Sequence, residues 1–172
     1  MTATPMPAAD QVRVSVLVRV PVEAAFRAFT EDINLWWRRG VKYRVFGGER
    51  GIIHLEPWVN GRVFESFEQG ESERAFQTGV VLVWDPPHRL VFEWRAVNFA
   101  PSEKTEVEVE FAASASDPAA ATLVTVSHRG WSKLRDDHPV RHGHDARAFL
   151  RTMGLWWGEL MSSLREHVKQ NP

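Results

Sequence analysis

Residues 79–94, GVVLVWDPPHRLVFEW, leave the backbone little choice. Val80, Leu82 and Trp84 alternate in the first run and Leu90, Phe92 and Trp94 in the second, the period of two that marks strands with one buried face. Between the runs, Asp85-Pro86-Pro87 cannot continue a ladder. Each proline lacks an N–H and fixes φ, and the residue before a proline is pushed out of helical space. The stretch predicts an antiparallel hairpin with its bulky side chains facing inward.

The flanking segments extend this hairpin into a sheet. Residues 1–10, rich in Ala, Pro and Thr, read as a flexible N-terminus. Val12, Val14, Val16, Val18 and Val20 then alternate along a half-buried first strand, which Pro21 ends. Two short helices follow. The first runs from Pro21 through Phe29, with Ala25, Phe26 and Phe29 at helical spacing; the second covers residues 32–37, with Thr30 or Asp32 available as its cap. Gly47-Gly48 and Gly51 punctuate a loop before a strand at residues 52–56, and Asn60-Gly61 predicts a hairpin into a strand at residues 63–67. Residues 69–73 read as a solvated hairpin loop. Further on, Thr105, Val107, Val109 and Phe111 alternate with Lys104, Glu106, Glu108 and Glu110, and residues 123–128 make the last strand.

The C-terminal third changes period. Phe149, Leu150, Met153, Trp157, Leu160, Met161, Leu164 and Val168 recur at three- and four-residue steps, predicting one long amphipathic helix from Ala146, with Gly154 and Gly158 marking a bend or a close backbone approach. The fold class is α+β. A curved antiparallel sheet of six or seven strands wraps the C-terminal helix, two short helices follow strand 1, and residues 11–169 form a single domain. A bent sheet gripping one helix leaves a cavity between them, where a ligand would sit.

Composition narrows the function by exclusion. Twenty-one basic residues against 22 acidic ones give no global field for nucleic acid or a membrane surface. Without cysteine there is no disulfide, thiol nucleophile or Cys-based zinc site. The first residues form no signal peptide, and no apolar run reaches spanning length, so a cytoplasmic protein without membrane insertion is expected. Eight tryptophans against one tyrosine point to a roomy aromatic interior, because each large indole also needs a partner for its N–H.

Trp36, Trp37, Phe46, Trp58, Phe64, Trp84, Trp94, Phe111, Trp131, Met153 and Trp157 are placed, by period or by position near the cavity mouth, to approach it. Such walls suit a flat or elongated apolar molecule, so the leading expectation is non-catalytic binding of a small hydrophobic or aromatic ligand, with no cofactor. The enzymatic alternative is a cyclase- or dehydratase-like activity with His54, Glu56 or His128 as acid or base, His54 sharing a strand face with Glu56 and His128 with Val124 and Val126. His138, His142 and His144, with Asp136, Asp137 and Asp145, have metal-like composition. Pro139 and Gly143 among them indicate instead a polar loop and helix cap, and no metal is assigned. A protein-interaction module, either a chaperone regulator or a homodimer, is a third alternative.

Several motifs occur together in a familiar order: PVEAAFRAFTEDINLWW from Pro21, Gly47-Gly48, the hairpin segment, SHRGW from Ser127, and LWWGELMSSL from Leu155. Over residues 12–168 the chain resembles the START-like (SRPBCC) superfamily, in the branch named for the activator of the heat-shock protein 90 ATPase. The resemblance implies a helix-grip fold with a hydrophobic pocket between sheet and long helix. The eukaryotic co-chaperone has a further N-terminal domain with no counterpart in these residues, which ranks a chaperone partner below a small hydrophobic molecule. Arg129 stands where relatives tend to carry a small polar residue, implying a different charge at that pocket edge. No catalytic motif of the related polyketide cyclases and aromatases matches.

Overall fold

Alternating side chains build the sheet and a change of period builds the helix that fills it. In chain order the elements are β1 (Gln11–Val18), α1 (Val22–Glu31), α2 (Ile33–Trp36), β2 (Ile52–Leu55), β3 (Arg62–Gln69), β4 (Ser72–Asp85), β5 (Arg89–Trp94), β6 (Thr105–Ala113), β7 (Thr122–Arg129) and α3 (Ala146–Gln170). The computed structural model describes residues 10–47, 50–69, 72–135 and 137–172. Residues 1–9, Gly48, Glu49, Gly70 and Glu71 of the 69–73 segment, and Asp136 lie outside the described residues. The strands form one seven-stranded sheet in the order β1-β7-β6-β5-β4-β3-β2, every neighbouring pair antiparallel.

Strand β6 follows its sequence pattern without a break. Thr105, Val107, Val109 and Phe111 are buried, and Glu106, Glu108 and Glu110 face the outer side. On that outer side Arg129 bonds Glu106 at 2.8 Å and Glu108 at 3.0 Å, and Arg89 also pairs with Glu108. Arg129 is therefore a cross-strand tie on the convex face, and the changed charge expected from it at a pocket edge is corrected.

Strand β4 departs from its pattern. Val81 is fully buried and Leu82 is 38% exposed, the reverse of the phase read from Val80, Leu82 and Trp84. A bulge between Val81 and Val83 shifts the register against β5, so the period of two is interrupted and Trp84 returns to the inner side, edge-on to Phe26 at 5.1 Å. The fourteen-residue strand pairs with β3 over its first part and with β5 over its second. Gly79 sits at the changeover, where a Cβ would fall 1.6 Å from the Glu93 carbonyl oxygen. Only a glycine lets the two strands approach there, and this is where the sheet folds over.

Helix α3 lies in the resulting trough. Phe149, Met153, Trp157, Leu160, Met161, Leu164 and Val168 are buried along it, joined to the inner face of the sheet in one hydrophobic core. A fully buried Leu, Phe or Met contributes roughly 1.5–3 kcal/mol, so burial outweighs any single polar tie in seating the helix. Asp145 caps its first turn by accepting from the Ala148 N–H at 2.8 Å. A Cβ on Gly154 would only touch Val12 at 4.0 Å and one on Gly158 would meet nothing, so neither glycine marks the close approach its sequence position predicts.

The short helices need one revision. Asp32 occupies the N-cap position of α2 but makes no capping bond; its carboxylate instead takes His167 of α3 at 2.9 Å. Thr30, the other candidate cap, donates to the Phe26 carbonyl within α1. Asp10, which the sequence places with the N-terminal stretch, is buried and accepts from the backbone N–H groups of Gly130 and Ser132. Among the described residues no helix is long and apolar enough to cross a membrane.

Candidate functional site

A cavity of about 560 Å³ opens between the sheet and the N-terminal half of α3. That volume is within the range that holds small molecules. Ile53, Val63, Phe64, Phe92 and Trp94 line it from the sheet, and Phe149, Met153 and Trp156 from α3. The loop after α2 supplies the third wall, through Val41, Tyr43 and Val45. Its mouth is edged by residues 95–98 and by Val140, His142 and His144 of the connection into α3.

Two indoles pin the third wall. Trp37 Nε1 donates to the Tyr43 carbonyl at 3.0 Å, and Trp156 Nε1 to the Lys42 carbonyl at 2.9 Å. Tyr43 stacks on Trp156 at 5.8 Å, and its hydroxyl donates to Glu159, which also takes Lys42. Beneath the loop the buried Arg44 guanidinium gives every N–H to Asn34, Trp37, Arg38 and Gly51. Burial, then the nearby Arg39 charge, lower the Arg44 pKa to about 10, against the opposing pull of Glu65. Glu65 is also buried, and its carboxylate accepts from the backbone N–H groups of Val45 at 2.7 Å and Phe46 at 3.3 Å.

Four of the sequence-predicted residues meet on the cavity: Trp37, Phe64, Trp94 and Met153. Trp36, Phe111, Trp131 and Trp157 belong to the packed core, each 2% exposed or less, and Trp131 meets the ring of Phe149 at 4.9 Å behind the lining. Period tells that a ring faces inward and not whether it meets another ring or open space. Phe46 stacks on Phe67 outside the lining, and Trp58 is 52% exposed in the turn between β2 and β3. Trp84 borders a separate groove of about 240 Å³ with Phe26 and Pro86.

The acid–base candidates do not converge on the cavity. His54 lies flat on Phe64 at 4.5 Å and bonds Ser66 at 2.8 Å, while Glu56 chelates Arg62, which holds its carboxyl below the usual range. His128 is fully buried under the floor. Its Nδ1 accepts the Trp157 indole N–H at 3.0 Å, so Nε2 carries the proton and donates to Thr105 Oγ1 at 2.6 Å, and Thr105 in turn donates to the Trp94 carbonyl. Burial holds this imidazole at a pKa of about 3.

The metal-like residues are also split. His138 is buried, accepts from the Val140 N–H and approaches Glu103 at 3.2 Å, whereas His142 and His144 are exposed at the cavity mouth. Among the described residues no group of three or more His, Cys, Asp or Glu is arranged to hold a metal ion.

Sequence reasoning missed Tyr43, Glu65, Arg95 and Trp156. Trp156 was legible, because Phe149, Met153 and Trp156 are spaced i, i+4, i+7 on one helix face and Trp157 is turned about 100° away. Glu65 shares the inward phase of β3 with Val63, a carboxylate in an apolar position. Tyr43 and Arg95 are on loops, where no period reports direction.

A curved antiparallel sheet around one long helix, with an aromatic cavity between them, defines a helix-grip protein of the START-like kind. The family described as Activator of Hsp90 ATPase homolog 1-like protein matches residues 19–169, and the chain belongs to it. Solved structures agree. Protein MLL2253 from Mesorhizobium loti superposes with a TM-score of 0.61 at 16% identity, covering 94% of this chain and 98% of its own. PFC0360w, an HSP90 activator from Plasmodium falciparum, gives 0.60 at 17% identity over 93% and 96%. Txn09, an anthrahydroquino-gamma-pyrone synthase, gives 0.51 at 30% identity over 84% and 87%. None of the curated proteins matches the chain.

Proposed function

We propose that the chain binds a small, flat, largely apolar molecule in the cavity between sheet and α3. The observation that carries this reading is the wall: Trp37, Tyr43, Phe64, Phe92, Trp94 and Trp156 enclose about 560 Å³. Rigid rings present large apolar area for stacking at little cost in side-chain entropy. The 30% identity to an anthrahydroquino-gamma-pyrone synthase, a name that denotes a fused aromatic system, supports an aromatic guest. Isothermal titration calorimetry with the neutral probes 2-naphthol and 9-anthracenemethanol tests it. Saturable binding at one site per chain is expected, and no heat of binding from either probe would sink the proposal.

A second reading, favoured by the same relative, makes the cavity a reaction chamber for cyclodehydration. A phenol oxygen would attack a carbonyl of the same molecule, closing a pyrone ring and releasing water. The groups available for the proton transfers are Tyr43, His142 and His144 on the lining, in place of His54, Glu56 and His128. Mass-spectrometric detection of water loss from a 2-hydroxyaryl 1,3-diketone, faster with protein than without, is its test; equal rates remove it. Chaperone regulation rests on the family's name and on a relative at 17% identity, a likeness of fold alone.

A further inference from the structure

The charges on the cavity lining say more about the guest than the shape of the cavity does, given that the cavity is a binding site. Most of them are already spent. Lys42 Nζ reaches both Glu159 oxygens, at 2.9 and 3.2 Å. Arg44 has all five N–H groups bonded within the protein, and Glu65 is held by two backbone amides. Neither Arg44 nor Glu65 can turn to a ligand without breaking the wall, and Lys42 is engaged by Glu159.

Arg95 is different. It follows the last residue of β5 at the cavity edge and commits one terminal nitrogen, at 3.1 Å, to the Ala100 carbonyl. Its Nε is shut off from water and has no acceptor among the described residues. An orphaned donor on a guanidinium is costly, and a swing of the side chain toward the mouth lowers its free energy by bringing that donor to an anionic oxygen. His142 and His144, exposed on the same lining, are further nitrogen-bearing groups with no bond to a neighbouring side chain among those described. No lining carboxylate is uncommitted, since Glu65 is the one carboxylate there among the described residues. Beside the neutral Asn98, the free polar capacity of the mouth is thus carried by nitrogen donors, next to an apolar interior.

We propose that the guest is an aromatic carboxylic acid, its rings against Trp94 and Trp156 and its carboxylate taken by the Arg95 guanidinium at the mouth. The planar fork of an arginine matches a carboxylate with two parallel hydrogen bonds, which a neutral amide cannot reproduce. The apolar wall treats acid and amide alike, so their difference in affinity isolates the charged contact.

The test is calorimetry at neutral pH with 2-naphthoate and 2-naphthamide on the whole chain. The acid binds the wild type at least about tenfold more tightly than the amide, the size of one charge-assisted hydrogen bond. Arg95→Gln brings the ratio to within about twofold and Arg95→Lys restores part of it, because a lysine keeps the charge and loses the fork. Lys133→Gln, which removes a charge away from the lining, leaves the ratio where it was. Equal binding of acid and amide by the wild type overturns the proposal while the cavity reading stands; failure of both probes removes the two together. A preference that survives Arg95→Gln, or that Lys133→Gln abolishes equally, also overturns it. Should Arg95→Gln not fold, the wild-type ratio and the Arg95→Lys protein carry the test.

Discussion

A histidine sealed in an apolar core is a pH-dependent element that no ligand needs to touch. With its pKa near 3 in the folded chain against an ordinary 6.5, His128 binds its proton more readily when the chain is unfolded. Stability therefore rises with pH between those values. The contribution is fully present above about 6.5 and is lost as pH falls toward 3, at about 1.4 kcal/mol per pH unit. Urea unfolding at pH 7 and pH 5 should show a larger loss for the wild type than for His128→Leu, although the variant is less stable at pH 7 because the Trp157 N–H is orphaned; equal losses would remove His128 as the titrating group. Arg44 makes a second residue-scale case. Arg44→Met strands the buried Trp37 carbonyl and leaves the Gly51 carbonyl to Arg39 alone, at a cost of roughly 1–3 kcal/mol, to be read from the shift in denaturation midpoint. The sequence marked His128, on the strand face of Val124 and Val126, as an acid–base candidate and not as a sealed structural group, whereas Arg44, one more arginine in a loop, carries no mark of burial.

Among the elements, β4 controls the shape of the sheet. Gly79→Ala puts a methyl group into the Glu93 carbonyl, so the strands must part where the sheet folds over, and a loss of about 1–3 kcal/mol or more is expected in thermal unfolding. An unchanged melting temperature would mean that the sheet bends elsewhere. Asp145→Ala is milder, about 1 kcal/mol through the lost cap of α3, and is measurable by the same melt. Most of this architecture was legible in the chain. The Asp85-Pro86-Pro87 turn, the alternation of β6 and the helical period from Ala146 all fold as they read, because each pattern is local. The phase of β4 was not, since a bulge depends on the partner strand and leaves the sequence of its own strand looking regular.

For the molecule as a whole, the cavity separates stability from binding. The core at the far end of α3 holds the fold, whereas the cavity lining is a set of rings with space between them. Ala96→Trp, a large side chain placed on that lining, should abolish binding of 2-naphthol and leave the melting temperature level or higher; binding that persists would locate the probe elsewhere. The site was legible in part. Trp37, Phe64, Trp94 and Met153 were read from period or from position near the mouth, and Trp156 was passed over for its neighbour, which is turned about 100° round the helix into the packed core. The crowding of indoles has a separate consequence. Trp36, Trp37, Trp156 and Trp157 form a run of contacts at 5.2–5.9 Å, which Trp94 and Trp131 continue at 6.2 and 6.1 Å. Excitation absorbed anywhere in this group can hop from ring to ring and drain at the cavity wall, so a single absorbing guest would dim these six emitters together.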